Sequence, residues 1–102
     1  MILSNKYPDH VGLLGELLSF YRNGNDIELL DVSAEKGDDF TSYLFTVVLA
    51  INGEKVNLTL KNKEEELYDS YTVGMRKEAE EQILSLVLSD EKMIRIIDKH
   101  VE

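Results

Sequence analysis

Apolar and polar residues alternate most strictly from Phe45 to Leu60, on either side of the dipeptide Asn52-Gly53. Asn-Gly between two runs of β-favouring residues predicts a two-residue hairpin turn, because both turn positions need φ > 0. That turn sets the register. Ile51 then faces Glu54, Leu49 faces Val56, Val47 faces Leu58 and Phe45 faces Leu60, so one face is almost wholly apolar. The other face pairs Ala50 with Lys55, Val48 with Asn57 and Thr46 with Thr59. A slip of one residue would mix the two sets, so pattern and turn specify the same pairing.

Elsewhere the period is helical or less regular. Residues 1–7 are expected as a short tail, and Pro8 suits a first helical turn, where its missing N–H is not needed. Val11, Leu14, Leu18 and Tyr21, flanked by Leu13, Leu17 and Phe20, predict a helix over about 8–23 that ends at Asn23-Gly24. Asp26 to Ser33 is expected as a strand with imperfect alternation, followed by a polar turn over Glu35 to Asp39. The hairpin strands fall near 41–51 and 54–61. Glu64 to Asp69 allows a helix start or an acidic loop, Ser70 to Val73 is expected to be extended, and Gly74 is a break. Arg76 to Leu88 is strongly helical, with Ala79, Ile83, Leu86 and Val87 on one face. Ser89-Asp90 suits a cap for a further helix in which Ile94, Ile97 and Val101 recur; one helix or two over 75–101 is left open.

The resulting fold class is α+β. A three-stranded antiparallel sheet packs on two helices in two layers (α-β-β-β-α), with both helices on one sheet face and an extra C-terminal helix. At 102 residues this is one domain, long enough to bury roughly two-thirds of its unfolded surface. With no cysteine, disulfides and thiolate chemistry are excluded. Met1 to Lys6 lacks a signal-peptide core, and no run is long enough to span a membrane, so the expected location is cytoplasmic or nuclear. Twenty acids against 11 bases leave a net charge of −9. That balance opposes non-specific nucleic-acid binding, which rests on Lys and Arg displacing counterions.

This order resembles a double-stranded RNA-binding domain over about residues 8–88. The similar stretches are Leu13-Leu-Gly-Glu-Leu17, Phe45-Thr-Val-Val-Leu-Ala-Ile-Asn-Gly53 and Arg76-Lys-Glu-Ala79. The resemblance implies an α-β-β-β-α fold, with residues about 89–102 as a helical extension. It also implies that Glu16 on the first helix, a loop between the first two strands, and Arg76 and Lys77 at the last helix start would meet A-form RNA by shape. The sequence departs from the family in places. The loop Lys36-Gly-Asp-Asp-Phe40 lacks the family's usual His, Glu80 stands at the third basic position, Gln82 and Ile83 replace small residues, and the link before Gly74 is long and acidic. Divergent members of the family bind proteins or dimerise instead, and this charge resembles theirs.

Other residues are weighed on their own chemistry. Gly12 and Gly15 lie in a helical pattern and suggest close packing of that helix. His10 beside Asp9 and His100 near Asp98 offer Asp-His pairs, though two lone His are no metal signature. Glu64 to Glu66 with Asp69 most simply form solvated charge, and Tyr68 and Tyr71 suit either a core or a partner anchor. Met93, Ile94, Ile96, Ile97 and Val101 exceed what a small sheet needs as cover, and suggest an interface as readily as a cap on the core.

No nucleophile motif, phosphate loop or placeable carboxylate pair is present, so a non-catalytic chain with no cofactor, metal or small-molecule substrate is expected. The leading expectation is an interaction module that binds a protein partner or itself, with double-stranded RNA binding weak or lost. The alternative is a small acidic bacterial or phage protein whose carboxylates, at 64–69 and 78–81, mimic phosphates and inhibit a nucleic-acid enzyme.

Overall fold

A computed structural model of the chain describes residues 7–21, 23–39 and 41–101. The hairpin is built as its pattern demands. Strands β2 (Tyr43–Ile51) and β3 (Glu54–Asn62) pair antiparallel, and every facing pair predicted from the turn is present. Asn52 and Gly53 have φ of 52° and 84°, the left-handed conformations that the turn requires. Strand β1 (Ile27–Lys36) pairs antiparallel with the other side of β2, giving the sheet order β1-β2-β3.

β1 runs three residues past the predicted Ser33, and its imperfect alternation has a structural cause. Leu29 faces Leu49 and Asp31 faces Val48, so Leu30 is an extra residue, a β-bulge. After the bulge the phase is restored, and Val32 and Ala34 join Leu29 on the inner face opposite Val47 and Phe45.

Among the described residues, four α-helices follow or flank the sheet: α1 (Val11–Leu17), α2 (Glu65–Thr72), α3 (Arg76–Leu88) and α4 (Glu91–His100). Their buried residues Leu14, Leu67, Ala79, Ile83, Leu84, Val87, Leu88, Met93 and Ile97 share one core with Phe45, Val47, Leu49, Ile51, Val56 and Leu58. The architecture is therefore α+β, with α3 reaching all three strands and α1 packed against α3. α2 stands in the long acidic link between β3 and α3, where the α-β-β-β-α order has no helix.

Several expectations are corrected. The first helix does not run over 8–23. Single 3-10 turns at Pro8–His10 and Ser19–Tyr21 flank seven α-helical residues, and Leu18 leaves helical geometry at φ −108°, ψ 22°. Gly12 and Gly15 account for part of this, since glycine lowers helix stability by about 1 kcal/mol relative to alanine. Gly12 is not a close-packing site either, as an added Cβ would meet nothing within 4 Å. Tyr7 is no tail residue, being 5% exposed. Ser70 to Thr72 is helical rather than extended, because Leu67, Tyr68 and Tyr71 present one apolar face toward the core. The stretch 75–101 is two helices. Asp90 breaks it with extended backbone (ψ 134°) and accepts hydrogen bonds from the N–H groups of Lys92 (3.0 Å) and Met93 (3.3 Å). Among the described residues, no helix is long and apolar enough to cross a membrane.

Candidate interaction surfaces

The three positions suggested by the resemblance lie on the surface, and two of them are engaged by neighbours. Lys77 Nζ is 3.1 Å from Asp9 Oδ2, which also pushes the Lys77 ammonium pKa up through that bond. The Arg76 guanidinium stacks over the Tyr71 ring, 4.5 Å from its centre. Glu16 is exposed in the last turn of α1.

The β1–β2 connection is closed on itself. Asp39 Oδ1 accepts hydrogen bonds from the Thr41 N–H (3.2 Å), the Thr41 hydroxyl (3.2 Å) and the Ser42 hydroxyl (2.5 Å). Its other oxygen lies 3.0 Å from Lys61 Nζ on β3. The Ser42 hydroxyl, then Lys61, hold the Asp39 carboxyl well below the usual carboxylate range. Gly37 permits the tight return: its N–H donates to the Ser42 carbonyl (3.0 Å), and a Cβ there would lie 3.1 Å from Ser42 Oγ. Asp38 is exposed beside this loop, and Phe40 lies outside the described residues.

The suggested interface residues divide. Met93 (7% exposed) and Ile97 (0%) belong to the core, so neither is offered on the surface of the molecule. Ile94 and Val101 remain partly exposed, and Val101 packs against the core's margin. α4 is tied down at its far end. The Tyr21 hydroxyl donates to Asp98 (2.6 Å), and His100 Nδ1 lies 3.3 Å from Glu54 on β3. The hydrogen bond to Asp98 raises the Tyr21 pKa.

Neither histidine pairs with its sequence-neighbouring Asp. His10 is 3% exposed and sits between Glu80 (Nε2 to Oε1, 3.6 Å) and Glu81 (Nδ1 to Oε1, 3.5 Å) of α3. Its ring stacks on Tyr7 with centres 5.5 Å apart. The Tyr7 hydroxyl accepts the Val32 N–H (3.1 Å) and donates to Asp31 (3.0 Å), while the Tyr71 hydroxyl donates to the Val32 carbonyl (3.4 Å). Two tyrosines thus occupy the outward backbone groups of Val32 at the free edge of β1, a place where an unoccupied edge invites another strand. Burial, opposed by the Val32 N–H and reinforced by Asp31, pushes the Tyr7 phenol far above its ordinary range. Tyr68 stacks on Tyr43 with centres 4.5 Å apart, so both candidate aromatic anchors face the body of the molecule.

Two further surfaces are defined by the fold. A groove of about 340 Å³ between α2 and α3 is lined by Glu64, Glu66, Leu67, Ser70, Gln82 and Leu86. Among the described residues, no group of three or more His, Asp or Glu is placed to hold a metal. The other surface is the outer face of the sheet. Its cross-strand rows are Glu28–Ala50–Lys55, Asp31–Val48–Asn57, Ser33–Thr46–Thr59 and Glu35–Leu44–Lys61. Among the described residues, Val48 alone of the buried apolar side chains lies outside the core cluster. The β2–β3 half of these rows is written in the hairpin pattern. The β1 half is hidden in the sequence because the bulge at Leu30 shifts its phase.

No protein-family model, no curated protein and no solved structure matches this chain.

Proposed function

We propose that this chain is a non-catalytic interaction module. It resembles a double-stranded RNA-binding domain in its elements and binds a protein partner or a second copy of itself, with RNA binding weak or lost. The supporting observation is the state of the two basic residues on which RNA contact would depend. Lys77 is held by Asp9, and Arg76 is stacked on Tyr71 beside an acidic α3 start. A phosphate would have to displace Asp9 and approach a chain of net charge −9. The loop that would meet the neighbouring groove carries Asp38 and Asp39, and Asp39 already holds the neighbouring Lys61 of β3. Tyr7, His10 and Glu80 are joined to one another under the surface, and Tyr7 reaches the part-buried Asp31 at the edge of β1, which suits a structural role.

The test is fluorescence anisotropy of a labelled RNA duplex longer than the roughly 16 base pairs such domains span, at low and then physiological salt. The expected result is no binding at physiological salt. Tight, length-dependent binding that is lost in Arg76→Ala with Lys77→Ala would overturn the reading.

A second reading draws on α2, where Glu65, Glu66 and Asp69 are exposed beside Glu64, and on the exposed Glu78 of α3. Acids gathered on two packed helices suit a protein that mimics a phosphate backbone and inhibits a nucleic-acid enzyme. Competition with duplex nucleic acid for one basic protein, abolished by Glu65→Lys with Asp69→Lys, would favour it over the first reading.

A further inference from the structure

We propose that the outer face of the sheet takes a second copy of this chain, sheet against sheet, about a two-fold axis parallel to the strands. The inference rests on the protein-interaction reading above and assigns that interaction a surface and a partner.

β1 contributes Glu28, Asp31 and Glu35 to this face, and β3 contributes Lys55 and Lys61. Between them β2 contributes the partly exposed Leu44, Thr46 and Ala50, with Val48 (7% exposed) beneath them. One side of the face is therefore acidic, the other carries Lys55 and Lys61, of which Lys61 also holds Asp39 at 3.0 Å, and the middle is mainly apolar. The helices bury their apolar residues on the opposite side of the sheet.

A two-fold axis along the strands lays each β1 over the partner's β3 and each β2 over the partner's β2. Glu28 then meets Lys55 of the partner subunit, and Glu35 meets Lys61 of the partner subunit. The other axis in the same plane runs across the strands. It would lay Glu28 over Glu35 and Lys55 over Lys61, repelling in both rows. The charge pattern thus selects one of two packings that both keep the strands of stacked sheets aligned. An isologous interface requires a self-complementary patch, and this face is one.

The molecule's net charge of −9 opposes self-association at long range. On this face, however, Glu28, Asp31 and Glu35 meet Lys55 and Lys61, the latter shared with Asp39, and the acids of α2 and α3 belong to elements packed on the other side. At physiological salt charges beyond about 8 Å are largely screened. The Tyr7 and Tyr71 contacts to Val32 also disfavour the competing mode, strand addition at the β1 edge. Three strands spaced about 4.8 Å apart, four rows long, cover on the order of 400 Å². That is about half of what one partner contributes to a standard stable interface, so the dimer is weak and reversible.

The experiment is sedimentation equilibrium of the full chain, from tens of micromolar to about millimolar, at physiological salt. It compares the wild type, Glu28→Lys, Lys55→Glu and an equimolar mixture of the two variants. Far-UV circular dichroism checks that each variant is folded, and Lys61 is left intact so that its contact with Asp39 persists. The expected result is a dimer in the wild type, weakened about tenfold or more in each single variant by like charges brought together. The mixture restores it, because Lys at 28 of one variant meets Glu at 55 of the other. A wild type that stays monomeric over the whole range overturns the proposal, as does a dimer indifferent to both substitutions. The RNA titration on the same sample separates the two failures. A monomer without RNA binding overturns the dimer alone, whereas tight RNA binding overturns the reading beneath it.

Discussion

Val47 and Val48 are neighbours with identical side chains and nearly equal burial, 0% and 7% exposed. Val47 joins the core with Phe45, Leu49 and Leu58, while Val48 stands on the other side of the sheet outside that cluster. Burial of one residue therefore does not say which of two environments holds it. On the inner side neighbours from three strands and four helices surround the chain, and a deleted methyl leaves a void. On the outer side water or an adjustable neighbour can fill the space. Stability should rest on the first face, and association on the second.

The largest effect expected is at Phe45, fully buried on the inner face. Phe45→Ala should cost about 3–5 kcal/mol, a large share of the stability of any domain this size. Urea denaturation followed by circular dichroism measures it. A loss under about 1 kcal/mol would show that the inner face is not the packed core described here.

Val47→Ala should cost about 2–3 kcal/mol, from roughly 0.8 kcal/mol per buried carbon plus a cavity. Val48→Ala should cost about 1 kcal/mol or less in the monomer, since no enclosed cavity forms. Equal losses in the same denaturation experiment would erase the distinction between the faces.

The edge of β1 is a third environment, set by Tyr7. Tyr7→Phe strips the Val32 N–H of its acceptor and Asp31 of a donor. Leaving a buried donor unpaired costs about 1–3 kcal/mol. The same phenol gives an alkaline signature. Its folded pKa lies far above the ordinary value of about 10. Its stabilising contribution is then complete below pH ~10 and is lost progressively as pH rises above it, where the unfolded chain ionises first. Tyr21, Tyr43 and Tyr71 are pushed the same way, so Tyr7→Phe should reduce the fall in stability between pH 9 and 11 without abolishing it. Identical slopes for wild type and variant would show that Tyr7 is solvated.

What could be seen in advance follows the range of the interactions. Asn52-Gly53 and the alternation around it are local, and they specified the hairpin, its register and both of its faces. Met75 to Val101 carried its helices in their period, and the Asp90 cap was visible as a residue type. The first helix was overextended because its apolar period outlasts its backbone, which Gly12 and Gly15 weaken. α2 was obscured by acids that read equally well as loop, and only the packing of Leu67 and Tyr68 on the core decides for helix. Apart from their stacking on each other, the side-chain polar contacts of Tyr7 and His10 lie 24 or more residues away, and no local pattern announces them. The outer rows were half visible. Lys55 and Asn57 were paired correctly, but the bulge concealed that Glu28 and Asp31 complete the same rows.

The smallest effect expected is at Thr46 and Thr59, whose hydroxyls lie 3.0 Å apart on the exposed outer face. Thr46→Val keeps the branched shape that a strand favours and removes one solvated hydrogen bond. Cross-strand pairs of this kind contribute about 0.2–1 kcal/mol, and Val returns part of that through its strand preference. The monomer's stability should therefore change by less than about 0.5 kcal/mol. Thr46 also lies in the middle strand of the proposed contact, where an added methyl in place of a hydroxyl makes the stripe of Leu44, Val48 and Ala50 continuous. Self-association should strengthen in the same variant whose folding is nearly unchanged. Sedimentation and denaturation on one preparation would show the two readouts separating. If Thr46→Val instead destabilised the fold by 2 kcal/mol or more, the outer face would be part of the core, and the contrast between Val47 and Val48 would fail with it.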